Sequence, residues 1–124
     1  MIHVEADPTR NLLKIHFSER VGPEEMKAGF DKANALLVDL RPGFCLLSDL
    51  TGLELMDLRS APYIKQAMDL YNQKGIAKVV RVIPDPQKDI GLNIMSLFHY
   101  RRGVRIVTVE TLAEAEKNLS AGEG

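Results

Sequence analysis

Residues 57–60, Asp57-Leu58-Arg59-Ser60, carry the strongest chemical potential in this chain of 124 residues. Arg59 offers a permanent planar cation whose donor fork suits a phosphate or a carboxylate. Ser60 stands immediately before Ala61-Pro62, where a helix is expected to begin, and the free N–H groups of a first helical turn favour an anion. Ser60 also has a hydroxyl that a kinase could phosphorylate, although a serine in this position ordinarily serves as a helix N-cap. Asp57 is a short acid of the kind that accepts hydrogen bonds from loop amides, which would shape the loop and orient Arg59 and Ser60. This is the chemistry of recognition, directed at an anion or a partner surface.

The other reactive residues form no catalytic or metal-binding pattern along the sequence. His3, His16 and His99 are scattered, no two stand four apart on a helix, and no metal site is expected. Gly22, Gly29 and Gly43 lack the spacing of a nucleotide-binding loop, and no cofactor is expected. Ser48, Asp49 and a histidine could be written as a hydrolase triad, but no nucleophile-elbow motif surrounds the serine, so the chain reads as non-enzymatic. Cys45, the sole cysteine, excludes an internal disulfide and reads as a small buried thiol. A formal net charge of −1 gives no global attraction for nucleic acid. No apolar run approaches the ~20 residues that cross a bilayer. Residues 1–5 lack the basic start and apolar stretch of a signal peptide, so a cytoplasmic location is expected.

Holding residues 57–60 in place requires a strand before them and a helix after them. Leu13, Ile15 and Phe17 alternate with Lys14 and His16, the period of a strand with one buried face. The turn formers Asp7-Pro8-Thr9-Arg10-Asn11 join it to the chain start as an antiparallel hairpin. Pro23-Glu24-Glu25 opens a helix whose apolar stripe is Met26, Phe30, Ala33, Leu37 and Leu40, and Arg41-Pro42-Gly43 stops it. Residues 44–50 form a nearly all-apolar run, as in a central strand covered on both faces. The second helix carries Ala61, Ile64, Met68 and Tyr71 on one side and ends at Gly75. Residues 77–83 read as a further strand, Pro84-Asp85-Pro86 as a break, and residues 104–109 as the last strand. Thr111 and Glu114 make a capping box for a final helix through Leu119, and residues 120–124 read as a flexible tail.

The order ββαβαβαβα is that of a single α/β domain over residues 1–119, with an opening antiparallel hairpin and a mostly parallel mixed sheet. Sites in such sheets form beyond the carboxyl ends of the strands. Residues 51–60 would there make a switch-point loop between strand and helix.

Asp49-Leu50-Thr51-Gly52, followed by Asp57, resembles the aspartate-leucine-serine-glycine run and later aspartate of STAS domains, named for sulfate transporters and anti-sigma factor antagonists. The positions of residues 78–83, of Leu97-Phe98, of Val104-Arg105-Ile106 and of Leu112-Ala113-Glu114-Ala115 also follow the STAS pattern. The resemblance implies a STAS-like fold and a bacterial regulatory role. The implied partner is a protein, either a kinase-like or sigma-regulatory one, with self-association as a further form. Switchable members carry aspartate-serine-serine-glycine and are phosphorylated on the second serine. Counted from Asp57, those positions are Leu58, Arg59 and Ser60, so an arginine replaces the acceptor and Ser60 lies one residue beyond it.

A third helix is expected through Ile90, Ile94, Leu97 and Phe98, ending near Arg102. Leu92 and Met95 fall on its opposite side, as on a helix that meets a partner or a ligand. An alternative function follows, the binding of a small apolar or acyl ligand between helices and sheet, with Met56, Met68 and Met95 as adaptable lining.

Overall fold

The computed structural model describes residues 1–84 and 103–121. Five strands, β1 (Ile2–Asp7), β2 (Leu12–Val21), β3 (Cys45–Met56), β4 (Lys78–Val82) and β5 (Arg105–Val109), form one sheet in sequence order. β1 and β2 are antiparallel, and every later pair is parallel. The expected mixed α/β sheet with its opening hairpin is therefore present. Its helices are α1 (Pro23–Leu36), α2 (Ala61–Gln73) and α3 (Leu112–Ala121). The third helix expected from sequence, with Leu92 and Met95, lies outside the described residues.

The hairpin turn follows from its residue types. The Asp7 carboxylate accepts bonds from Thr9 Oγ1 at 2.6 Å and Arg10 N at 3.4 Å, closing a short 3-10 turn. Asn11 takes a left-handed conformation, φ 50°, which asparagine tolerates better than most residues. Its amide both accepts from Arg41 N at 2.8 Å and donates to Arg41 O at 3.1 Å, tying the hairpin to the chain segment after α1.

The pleat divides the core into two layers. Leu13, Leu46 and Val79 face α1 and α2, which supply Met26, Ala33, Ile64, Met68 and Tyr71. Leu12, Leu47 and Val80 face the opposite way and meet Ala115 and Leu119 of α3. Strands laid down in sequence order with crossovers of one hand put successive helices on one face, which is why α1 and α2 share a layer. Because the order never reverses between β2 and β5, no switch-point crevice opens beside β3. The expected site instead sits at the carboxyl end of an unbroken parallel run.

β3 is longer than the sequence pattern indicates. The apolar run ends at Leu50, yet pairing continues through Ser18↔Gly52 and Val21↔Met56. Register shifts between His16 and Ser18 and between Glu19 and Arg20 bend this end of the β2–β3 ribbon. Glu19 accommodates the second with φ 58°. Buried side chains then recur at Leu50, Leu53 and Met56, so the simple alternation of a strand disappears from the sequence.

Candidate functional site

At the end of this ribbon, Asp57 N donates to Val21 O at 2.9 Å, so the first residue of the candidate loop is an extension of the sheet. Asp57 remains extended, and its carboxylate accepts from Arg59 N at 2.9 Å. A 3-10 turn over Leu58–Ser60 follows and runs without a break into α2. The residue capping this helical segment is thus Asp57 rather than Ser60. Ser60 has helical dihedrals, φ −74° and ψ −14°, and its side chain makes no cap bond. An N-cap needs an extended backbone to turn its side chain onto the first amides, and Ser60 is already inside the turn.

The Ser60 side chain is fully buried, and its Oγ has no hydrogen-bond partner among the described residues. A phosphoryl donor would reach it only after the 3-10 turn opened.

Arg59 points outward and folds back on Asp57. Its Nε lies 3.0 Å and its Nη2 2.6 Å from Asp57 Oδ2, with a further contact from Nε to Oδ1 at 3.1 Å. Donation from the Arg59 side chain and then from its backbone holds the Asp57 carboxyl below the usual carboxylate range. The same hydrogen bonding raises the Arg59 guanidinium above its ordinary value. Two residues apart, the pair forms an exposed clamp that fixes the arginine and cancels much of its charge. Between them Leu58 projects into solvent at 65% exposure, and Leu55 stands nearby on β3 at 49%. Residues 57–60 therefore present a rigid turn with an apolar tip and a neutralised ion pair.

Asp49, Leu50, Thr51 and Gly52 support the turn from within the sheet. Asp49 Oδ1 accepts from Thr51 N at 3.0 Å and from Thr51 Oγ1, while Leu50 enters the core. A Cβ on Gly52 would lie 3.2 Å from Ser18 Cβ and 3.4 Å from Phe17 O, so the bulged pairing favours glycine. Asp49 Oδ2 meets His16 Nδ1 at 2.8 Å, a contact that sequence spacing did not reveal because the residues lie on different strands. Register supplies the missing signal, since His16 lies opposite Asp49 and His3 opposite His16. Ser48 points to the other face, among the cleft-lining residues below α1 and α2, so Ser48 and Asp49 do not form the two ends of a triad.

That cleft is an apolar site beneath α1 and α2. Ile2, Phe17, Phe30, Met68 and Tyr71 are among its lining residues, and its volume is about 30 Å³. Ligand pockets for drug-sized molecules are roughly tenfold larger. Met68 lines it, whereas Met56 is buried at the end of β3 away from it. Among the described residues, no helix is long and apolar enough to cross a membrane.

No sequence-family model matches the chain, and no curated protein matches it by sequence. Solved structures do match. The anti-sigma factor antagonist SpoIIAA in its unphosphorylated form aligns with a TM-score of 0.65 at 13% identity, over 98% of this chain and 99% of that one. An uncharacterised protein of the DUF3478 family from Shewanella loihica PV-4, described as having a SpoIIAA-like fold, aligns with a TM-score of 0.67 at 17% identity. That match covers 96% of this chain and 92% of the other. At these identities the likeness is one of fold, and the fold is SpoIIAA-like along nearly the whole chain.

Proposed function

We propose that this chain is a non-enzymatic STAS-type regulatory domain that binds a protein partner through residues 57–60 and the adjoining α2. The observation that carries this reading is the Asp57–Arg59 clamp, which holds Leu58 exposed at the end of β3. An apolar tip flanked by a fixed arginine has the composition of an interface centre, where apolar contact and ordered Arg side chains concentrate binding energy. The SpoIIAA-like fold supports a regulatory role, and SpoIIAA itself is an anti-sigma factor antagonist. The expected partner is accordingly a kinase-like or sigma-regulatory protein of a bacterial cytoplasm.

By the STAS resemblance Arg59 stands where switchable members carry their acceptor serine, and Ser60 beside it is buried. Binding is therefore constitutive, with no phosphate to release the partner. The alternative of an apolar or acyl ligand has the apolar cleft in its favour, but only after α1 and α2 move apart. Affinity capture from the source cells tests the main reading. Wild-type chain and Val38→Asp, altered in the exposed 3-10 turn that follows α1, should retain a regulatory partner identified by mass spectrometry, and Leu58→Asp should lose it. Equal capture by Leu58→Asp would reject the loop as the contact.

A further inference from the structure

The sheet has an outer edge at β1 and another at β5, and the two are built differently. The β1 edge is closed. Ser18 N donates to Met1 O at 2.8 Å, so the odd-numbered residues of β1 bond to β2 and Val4 turns its N–H and C=O outward. Val4 is nevertheless 2% exposed, and α1 packs so closely across β1 that a Cβ on Gly29 would lie 3.1 Å from Ile2 Cγ2.

The β5 edge is open. Arg105 N donates to Ala77 O at 3.0 Å, and Val109 O accepts from Ile83 N at 2.8 Å, so Arg105, Val107 and Val109 bond toward β4. Ile106 and Thr108 therefore turn their N–H and C=O away from the sheet, and both residues are exposed, Ile106 at 39%. Among the described residues no strand lies beyond them. Natural edges are guarded by lysine, proline or a bulge, and residues 106–109 contain none of these.

We infer that the β5 edge is occupied by a second copy of this chain, its β5 paired antiparallel to the first about a two-fold axis at Val107. In that register Ile106 pairs with Thr108 of the partner subunit, and Thr108 with the partner's Ile106, so the outward groups of both residues are bonded. Val107 meets its own copy at a non-hydrogen-bonded position, where Cα atoms approach to about 4.5 Å and β-branched side chains pack. Charge is self-complementary too. β5 starts at Arg105 and leads into Glu110 and then Glu114 in the first turn of α3, all exposed. Antiparallel pairing therefore sets each basic end against the partner's acidic end. The helices leave room for it. α3 is seated chiefly over β4, and two copies of it would stand three strand spacings apart, about 14 Å, beyond the roughly 8–10 Å of helices in contact.

Sedimentation velocity on the full chain from about 1 to 500 µM tests the pairing. A reversible dimer is expected, half-formed at roughly 10–100 µM because the interface is small. Thr108→Pro deletes an N–H that no bond within the sheet uses, and Ile106→Lys adds the charge that guards natural edges. Each should raise the concentration for dimerisation about tenfold or more, with thermal melts of the dilute protein close to wild type. Leu58→Asp should dimerise as the wild type does. Register is read in a Cys45→Ser background under mild oxidation. Val107→Cys should then form a disulfide between subunits, since about 4.5 Å is within its reach, whereas Arg105→Cys, with copies about 14 Å apart, should not. A chain that stays monomeric at about 500 µM, or a dimer that Ile106→Lys leaves intact, would overturn the proposal. So would loss of the dimer in Leu58→Asp, or cross-linking through Arg105→Cys in preference to Val107→Cys, because the contact would then lie elsewhere.

Discussion

Replacing Ser60 by alanine should stabilise the protein, a result opposite in sign to that expected of a helix N-cap. The Ser60 hydroxyl is fully buried and has no partner among the described residues. A buried hydroxyl without a hydrogen bond costs about 1–3 kcal/mol in mutational data. Removing one oxygen leaves a void of roughly 20 Å³, which at about 24 cal/mol per Å³ gives back about 0.5 kcal/mol. The net expectation for Ser60→Ala is a gain of about 1 kcal/mol, or a melting temperature higher by about 3–5 °C for 124 residues. A true N-cap serine would instead lose about 0.5–2 kcal/mol on the same change. Urea unfolding at neutral pH measures the difference directly, as a shift in midpoint with an unchanged slope. A loss of 0.5 kcal/mol or more would show that Oγ makes a bond worth keeping, contrary to its buried, unpartnered position. Ser60→Asp provides a companion measurement. It forces a charge into the same dry position and should destabilise sharply, as phosphorylation there would.

Two further perturbations follow from the geometry. The Asp57 carboxyl has a folded-state pKa below its unfolded value, so its contribution is present above the ordinary carboxylate range and is lost as pH falls through the lowered value. Asp57→Asn should therefore lower stability near neutrality, lose that difference as pH falls, and so flatten the acid limb of a stability-against-pH curve below about pH 4; equal acid limbs in both proteins would contradict the clamp. Gly75 has φ +90°, and a Cβ there would lie 3.1 Å from Pro42 Cβ and 3.3 Å from Pro42 Cα. Gly75→Ala should cost about 2 kcal/mol, more than Gly43→Ala, which has the same φ but open space. Chemical denaturation of the two variants checks that order.

Much of the architecture is written in local pattern. Leu13, Ile15 and Phe17 alternate because one face of β2 is buried, and Ile64, Met68 and Tyr71 recur at helical spacing because one side of α2 meets the sheet. The capping box is visible too, since Glu114 N donates to Thr111 Oγ1 at 3.2 Å. What escaped local reading depends on pairing between strands. The bulges place extra residues in β3 and stretch its burial spacing to three, so Leu53 and Met56 look like loop residues in the sequence. Ser60 resembles a cap because Ala61-Pro62 resembles a first turn, but a 3-10 turn already begins at Leu58. Asp49, His16, Glu5 and His3 come together through register across three strands, information that no spacing within one segment contains.

The proposed binding of a partner through residues 57–60 needs no phosphorylation switch. Isothermal titration of the captured regulatory partner into this chain, before and after incubation of the mixture with magnesium and ATP, tests it most directly. The same Kd is expected in both conditions, with no phosphate added to the intact mass of the chain and a large loss of affinity in Leu58→Asp. A phosphate on Ser60, accompanied by release of the partner, would contradict it.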